Sequence, residues 1–335
     1  MPSPKLNTVI RRPDLGGAII EMFDNSLDAG FIGRTLLPSF RTNENAGVYP
    51  VIPKEALMKN VNPARAPKSA YIRTNYEYER GTYMTYEYGV EEVIDDVERE
   101  LMDQEMPGGA DMLAARRAAG FLMRAQERRI ASLLFNETNF TLANGGLVNL
   151  TDDWNTPASS TPIKDIKEQL NAFRLKAGTL PDALVMNWEV YNNLTQSKEL
   201  YDQILYTFPG LQIKQATEAQ IAQALGVPRL IVAGGLQDTA GFGLTANITD
   251  IWSSNYAMLI KIGGMDLRSG GVGRIFEWTR DAAGMVVEQY REEAVRGDVY
   301  RVRHYVGEQL LKSVDTSGVT VSSVYADNAT LLKFA

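Results

Sequence analysis

The sequence predicts an α+β fold, and three observations carry the prediction. They are one long amphipathic stripe of helical period, a middle region where helix and strand patterns alternate, and a closing run of strands. The stripe organises the rest. Over residues 108–135, Met112, Ala115, Ala119, Leu122, Met123, Ile130, Leu133 and Leu134 recur at spacings of three and four, which draws one apolar line along a helix. Pro107, Gly108 and Gly109 stand before it, Asp111 places an acid in its first turn, and Arg128 and Arg129 place cations toward its end. Both biases suit the helix dipole. About 26 residues of helix span roughly 39 Å, about twice the ordinary length, so the helix is expected to cross the whole subunit.

Ahead of this helix, residues 1–40 carry Pro2, Pro4, Pro13 and Pro38 and read as an irregular arm with one short helix over residues 14–29. A strand pattern begins at Val48. Pro50, Pro53, Pro63 and Pro67 then punctuate a basic segment that can be neither helix nor central strand. Six tyrosines fall within residues 71–88, and Tyr76 with Tyr78, like Tyr86 with Tyr88, sit two apart, on one strand face. Residues 41–89 therefore read as a long hairpin whose basic tip is too rich in proline to pack into its own core. After Gly89, the spacing of Val90, Val93, Ile94, Val97 and Leu101 predicts an amphipathic helix with acids on its outer face.

Behind the long helix, residues 136–161 read as loop and short strands. Ile163, Ile166, Leu170 and Phe173 predict a helix closed by Gly178, followed by a strand over 183–186 and a helix over 188–194. Thr217 with Gln220 forms a capping box for a further helix, Gly226 closes it, and a strand follows over 230–233. This alternation predicts an α/β lobe. Strands then follow over 256–262, 274–279, 285–295 and 298–311, the last two joined by a turn at residues 296–298. In the final strand Tyr300, Val302, His304 and Val306 share one face and Arg301, Arg303 and Tyr305 the other.

Composition narrows the chemistry. The 335 residues suit about two domains, and 44% hydrophobic residues can build a sizeable core. The chain has no apolar run long enough to span a membrane and no secretory pattern at its start, so it is expected to be soluble and unexported. There is no cysteine, which excludes disulfides, thiol catalysis and cysteine zinc sites. There is a single histidine, His304, through which any histidine catalysis would have to pass. No catalytic, cofactor-binding or metal-binding residue is expected. Two glycine-rich stretches, 234–243 and 263–273, lack the dinucleotide spacing and the phosphate-loop ending and read as loops; a nucleotide-binding α/β enzyme built on them is the rival reading.

The net charge of −7 is concentrated. Between Glu91 and Glu105 eight acids stand against Arg99, while residues 54–68 carry four basic residues against Glu55. Neither patch has an evident partner in its own subunit. Lys54, Lys59, Arg65 and Lys68 are accordingly expected to meet Glu91, Glu92, Asp95 and Asp96 of an adjacent subunit. Gly120, in the middle of the stripe, marks a point where the long helix is expected to flex, since glycine costs about 1 kcal/mol there relative to alanine. Arg116, Arg117, Arg124, Arg128 and Arg129 read as a charged face or as partners of the acidic segment, with contact to nucleic acid as the alternative.

In this order, an irregular arm, a basic-tipped hairpin, an acidic segment, a long helix, an α/β lobe and a returning hairpin resemble the major capsid proteins of tailed bacteriophages. The resemblance covers nearly the whole chain and rests most on Tyr86, Glu87, Tyr88, Gly89, Val90, Glu91 and Glu92 and on residues 180–194 ahead of 204–210. It implies an N-terminal arm over 1–40, an extended loop over 41–89 and a peripheral domain with a spine helix over 90–161. An axial domain over 162–280, returning peripheral strands over 281–315 and a C-terminal segment over 316–335 complete the division. It also implies pentamers and hexamers in an icosahedral virion shell around double-stranded DNA, assembled in the host cytoplasm. The implied partners are further copies of the chain, a scaffolding protein, a portal protein, a decoration protein and the packaged DNA, with no membrane. An encapsulin nanocompartment is the alternative on the same fold.

Overall fold

Twenty-six residues, Gly109–Leu134, form one unbroken helix that contributes to two of the hydrophobic cores. The structure is a computed structural model. It describes residues 9–16, 30–51, 58–73, 79–105, 109–151, 154–207, 217–241, 243–267, 270–280, 284–314 and 320–334. Lys54, Tyr76 and Tyr78 lie outside these, and of the helix expected over 14–29 only its beginning lies within them.

The first part of the chain gives β1 (Ile10–Arg11), α1 (Gly33–Leu36), β2 (Ser39–Thr42), β3 (Ala46–Val51), β4 (Glu79–Met84), β5 (Tyr86–Asp95), α2 (Asp96–Glu105) and α3 (Gly109–Leu134). The middle gives β6 (Leu147–Asn149), α4 (Pro162–Ala177), β7 (Ala183–Asn187), α5 (Trp188–Thr195), α6 (Lys198–Thr207), α7 (Glu218–Leu225), β8 (Leu230–Ala233), β9 (Leu236–Asp238) and β10 (Ile248–Asp250). The remainder gives β11 (Tyr256–Ile260), β12 (Gly273–Trp278), β13 (Val286–Glu292), β14 (Gly297–Leu310), β15 (Ser313–Val314), β16 (Thr320–Ser322), α8 (Val324–Asp327) and β17 (Ala329–Lys333).

These strands make three sheets and a small ribbon. In the first, the order is β1-β13-β14-β12-β2, and β5 pairs antiparallel with the long β14. In the second it is β6-β17-β11-β7-β8. The third, β16-β15-β4-β3, contains the stem of the hairpin limb, with β3 and β4 in register from Ala46 opposite Met84 to Val51 opposite Glu79. The ribbon is β9 with β10.

Helix α3 serves two cores. Its first half presents Ala110, Ala114, Ala115, Ala118 and Ala119, whose small side chains bring the helix close to Ile94, Tyr300 and Val302 of the first sheet. Its second half turns Ile130 and Leu134 toward Leu36, Leu37, Val185 and Met258, so the same rod anchors the second sheet. A separate core beneath α4 to α7 gathers Trp154, Phe173, Leu184 and Leu259. The punctuation read from sequence holds there: Gly178 and Gly226 end α4 and α7 at φ 73° and 78°, in the left-handed region that glycine tolerates, and Thr217 with Gln220 makes a reciprocal capping box.

Two expectations are corrected. Residues 90–95 are not helix: β5 runs ten residues and pairs with Gly297–Val306 of β14, and the helix starts only at Asp96. The reason is that Tyr88, Val90 and Ile94 also fit a period of two, and β-branched residues opposite a fourteen-residue partner strand favour the sheet. Next, residues 30–40 are not part of a free arm, because Ile32, Leu36 and Leu37 are buried in the core beside α3. The segment after 316, for which no strand was expected, supplies β17, which lies between β6 and β11, so the second sheet draws strands from both sides of residues 162–280.

Candidate assembly surfaces

The acids expected to face a neighbour are largely engaged within the chain. Outward on β5, Glu91 accepts from Arg301 Nε at 2.6 Å, while Glu92, on the opposite face, meets Arg117 of α3 at 3.1 Å. Asp96 accepts two bonds from Arg291, at 2.5 and 2.7 Å, which hold its carboxyl below the ordinary carboxylate range. Asp95 accepts from the Val97 backbone N–H at 2.8 Å and is otherwise exposed. The premise that this patch lacks partners in its own subunit is therefore corrected. The arginines that satisfy it lie on β13, β14 and α3, about 25 to 210 residues away in sequence, and the pairing became visible only once β5 was a strand of the same sheet.

A denser network closes the start of α3. Arg99 reaches Tyr300 Oη at 2.7 Å, Asp298 at 2.6 Å and Asp111 at 3.2 Å, and Arg12 of the N-terminal segment also reaches Asp111, at 3.3 Å. Arg99 and Met102 thus point inward on α2. Val97 and Leu101, one turn apart, consequently point outward and are 65% and 61% exposed. Glu98 and Glu100 are exposed beside them and, among the described residues, make no ion pair. The outer surface at the β5–α2 junction is an apolar stripe edged with acid.

The limb is the opposite in charge. Tyr83 of β4 stacks on Phe276 of β12 with centroids 4.4 Å apart, and Tyr49 of β3 stacks on the same ring at 5.6 Å, so the stem is clamped to the body. Gly81 is required there because a Cβ would enter the Tyr49 ring. Beyond the stem, residues 58–73 are almost wholly exposed, Lys59, Arg65 and Lys68 included, and Tyr71 and Ile72 stand 73% and 58% exposed. Their hydrogen bonds are local: Arg65 donates to the Ser69 carbonyl and Ser69 to that of Ala66, and the Arg65 guanidinium lies 4.6 Å from the Tyr71 ring centre.

A residue that sequence reading missed ties these parts together. Glu127 of α3 is 3% exposed and, among the described residues, has no cationic partner; its carboxylate accepts from Ile32 N–H at 2.9 Å, from Gly33 N–H at 2.9 and 3.1 Å and from Trp252 Nε1 at 2.7 Å. It caps the start of α1, and burial pushes its pKa up. The signal was a lone acid on the apolar stripe between Met123 and Ile130. Gly120, half-buried, lies within α3 with no break in the helix.

The remaining chemical candidates are structural. Beside the described residues of the second stretch, Arg274 is fully buried, donates to the carbonyls of Gly273 and Asp266, and occupies the space that a Cβ on Gly263 or Gly271 would need. At the other stretch, Gly234 and Gly235 pack against Gly30 and Phe31. His304 is 2% exposed, beside Tyr88 and under the influence of Arg34 and Arg129, and burial pushes its pKa down to about 3. A neutral, enclosed imidazole cannot relay protons to a substrate. No described helix is long and apolar enough to cross a membrane.

No protein-family model matches the sequence. A phage-related protein from Bordetella bronchiseptica RB50 superimposes with a TM-score of 0.68 over 97% of this chain and 98% of its own, at 16% identity. The capsid of cyanophage P-SCSP1u superimposes with a TM-score of 0.53 over 89% of this chain and 86% of its own, at 9% identity. The chain has the tailed-phage major capsid fold. The major capsid protein of Burkholderia phage BcepMu is 26% identical over 250 residues, which are 74% of this chain and 75% of that protein. Both the fold and the sequence are thus similar to those of phage major capsid proteins.

Proposed function

We propose that the chain assembles into the pentamers and hexamers of an icosahedral shell that encloses a phage double-stranded DNA genome, with a separate scaffolding protein guiding assembly and a portal at one vertex. One observation carries this reading: a limb rooted in the body by stacked rings ends in an exposed, basic, partly apolar tip that its own subunit does not cover. Residues 52–78 connect the two stem strands, so about 13 residues on either side of the tip reach roughly 40 Å when extended, enough to leave a domain of this size.

The tip is proposed to lie on the β5–α2 junction of an adjacent copy. Because Glu91, Glu92 and Asp96 are engaged at home, the acceptor narrows to Asp95, Glu98 and Glu100 around Val97 and Leu101, and the donors to Lys59, Arg65 and Lys68 with Tyr71 and Ile72. Gly120 is proposed as the flexure of the spine helix as the shell matures. Sedimentation velocity of the chain, expressed alone and with its scaffolding protein, tests assembly. Capsomers or closed shells are expected, and a strictly monomeric species at every concentration and salt with scaffold present would contradict it.

A further inference from the structure

We infer that the outer face of α3 binds the phosphate backbone of duplex DNA. The inference rests on the reading that the shell encloses DNA, and it assigns the surface that contacts it. By sequence alone Asp111 and Glu127 interrupt the arginines of this helix; the structure withdraws both. Asp111 turns into the network with Arg12 and Arg99, and Glu127 turns into the core toward Trp252. The exposed side chains left on α3 are Arg116, Arg117, Arg124 and Arg128, with Leu113, Phe121 and Ser132 between them and no acid.

Their charges are largely uncompensated. Arg117 pairs with Glu92, but Arg124 gives only its Nε–H to the Leu236 carbonyl, at 3.2 Å, and Arg116 and Arg128 make no ion pair among the described residues. From Arg116 to Arg128 the rise is roughly 18 Å. The result is an outward face on which three cations without an ion pair among the described residues spread over roughly 120° of the helix, on a chain of net charge −7. Duplex DNA carries one negative charge per about 1.7 Å of axis, so a group of exposed guanidiniums on one helix face meets phosphates without reading sequence. Guanidinium, with its forked donors, is the cation that phosphate geometry favours. The acids of a neighbouring copy offer this face only short, interrupted runs such as Glu98 and Glu100.

The test is fluorescence anisotropy of a short labelled DNA duplex with unassembled subunits, wild type and the triple variant Arg116→Gln, Arg124→Gln, Arg128→Gln, titrated with salt. Glutamine keeps the helix propensity and the side chains are exposed, so circular dichroism is expected to match wild type. Wild type is expected to bind with log affinity falling against log salt at a slope of about −2.7, as for three phosphates. The variant is expected to lose at least tenfold in affinity at low salt and most of that slope, while still forming shells. Wild type that does not bind the duplex at low salt, a variant with unchanged affinity and slope, or polyglutamate that displaces the duplex at equal charge concentration would each overturn the assignment. Because the assay uses unassembled subunits, it reads DNA binding whether or not the shell reading holds.

Discussion

Trp252 donates its indole N–H to the Glu127 carboxylate at 2.7 Å, 125 residues away in sequence, and through that one side chain α3 holds both the root of the N-terminal segment and the loop leading into β11. Three buried donors depend on one acceptor. Glu127→Ala strands all three and is expected to cost roughly 3 kcal/mol or more, Glu127→Gln less, and Trp252→Phe about 1 kcal/mol, as read by urea unfolding. A loss below about 0.5 kcal/mol for Glu127→Ala would show that the node does not secure the segment.

The single histidine gives a clean pH readout. An unfolded His304 binds a proton near 6.5 and the folded one near 3, so between those values the unfolded state holds more protons. Stability from this residue is therefore lost as pH falls below 6.5, at up to about 1.4 kcal/mol per pH unit, and the loss levels off near pH 3. His304→Leu is expected to flatten the acid limb of the melting curve over that window. In proton NMR the lone imidazole is expected not to titrate between pH 8 and 5; a midpoint near 6.5 would contradict the burial.

How far the sequence disclosed this molecule depended on whether a pattern was local. The stripe from Met112 to Leu134 and the punctuation by Gly178, Thr217, Gln220 and Gly226 are contained in their own segments, and each became the element expected. Val90 and Ile94 satisfied two periods at once, and only β14, about 200 residues on, decides between them. The partners of Glu91, Glu92 and Asp96 followed from that same pairing and were equally hidden. Glu127 lay open to notice, as an acid on an apolar line, but its donors Ile32, Gly33 and Trp252 are brought to it by the fold alone.

Gly120→Ala is expected to stabilise α3 by up to about 1 kcal/mol and to slow shell expansion while leaving initial assembly intact. Light scattering or time-resolved electron microscopy of expansion reads this. Unchanged kinetics would remove Gly120 as a flexure, and failure to assemble would make it a packing residue instead.

At the proposed contact, magnitudes decide between charge and apolar burial. Exposed ion pairs contribute about 0 to 1 kcal/mol each and are screened over about 10 Å at 0.1 M salt, whereas burying a Val or Leu side chain contributes about 1.5 to 3 kcal/mol. Val97→Ser with Leu101→Ser is therefore expected to impair assembly at every salt concentration. Lys59→Glu, Arg65→Glu and Lys68→Glu together are expected to impair it chiefly at low salt, with partial rescue by Glu98→Lys and Glu100→Lys. A charge triple that matters equally at all salts, or a Val97 and Leu101 pair that does not matter, would reverse this ranking.

The most direct measurement is a cryo-electron microscopy reconstruction of the assembled particle in which residues 58–73 can be traced. Density for Tyr71 and Ile72 is expected over Val97 and Leu101 of the adjacent copy, with Lys59, Arg65 and Lys68 near its Asp95, Glu98 and Glu100. A tip folded back on its own subunit, or a β5–α2 junction left bare in the closed shell, would contradict it.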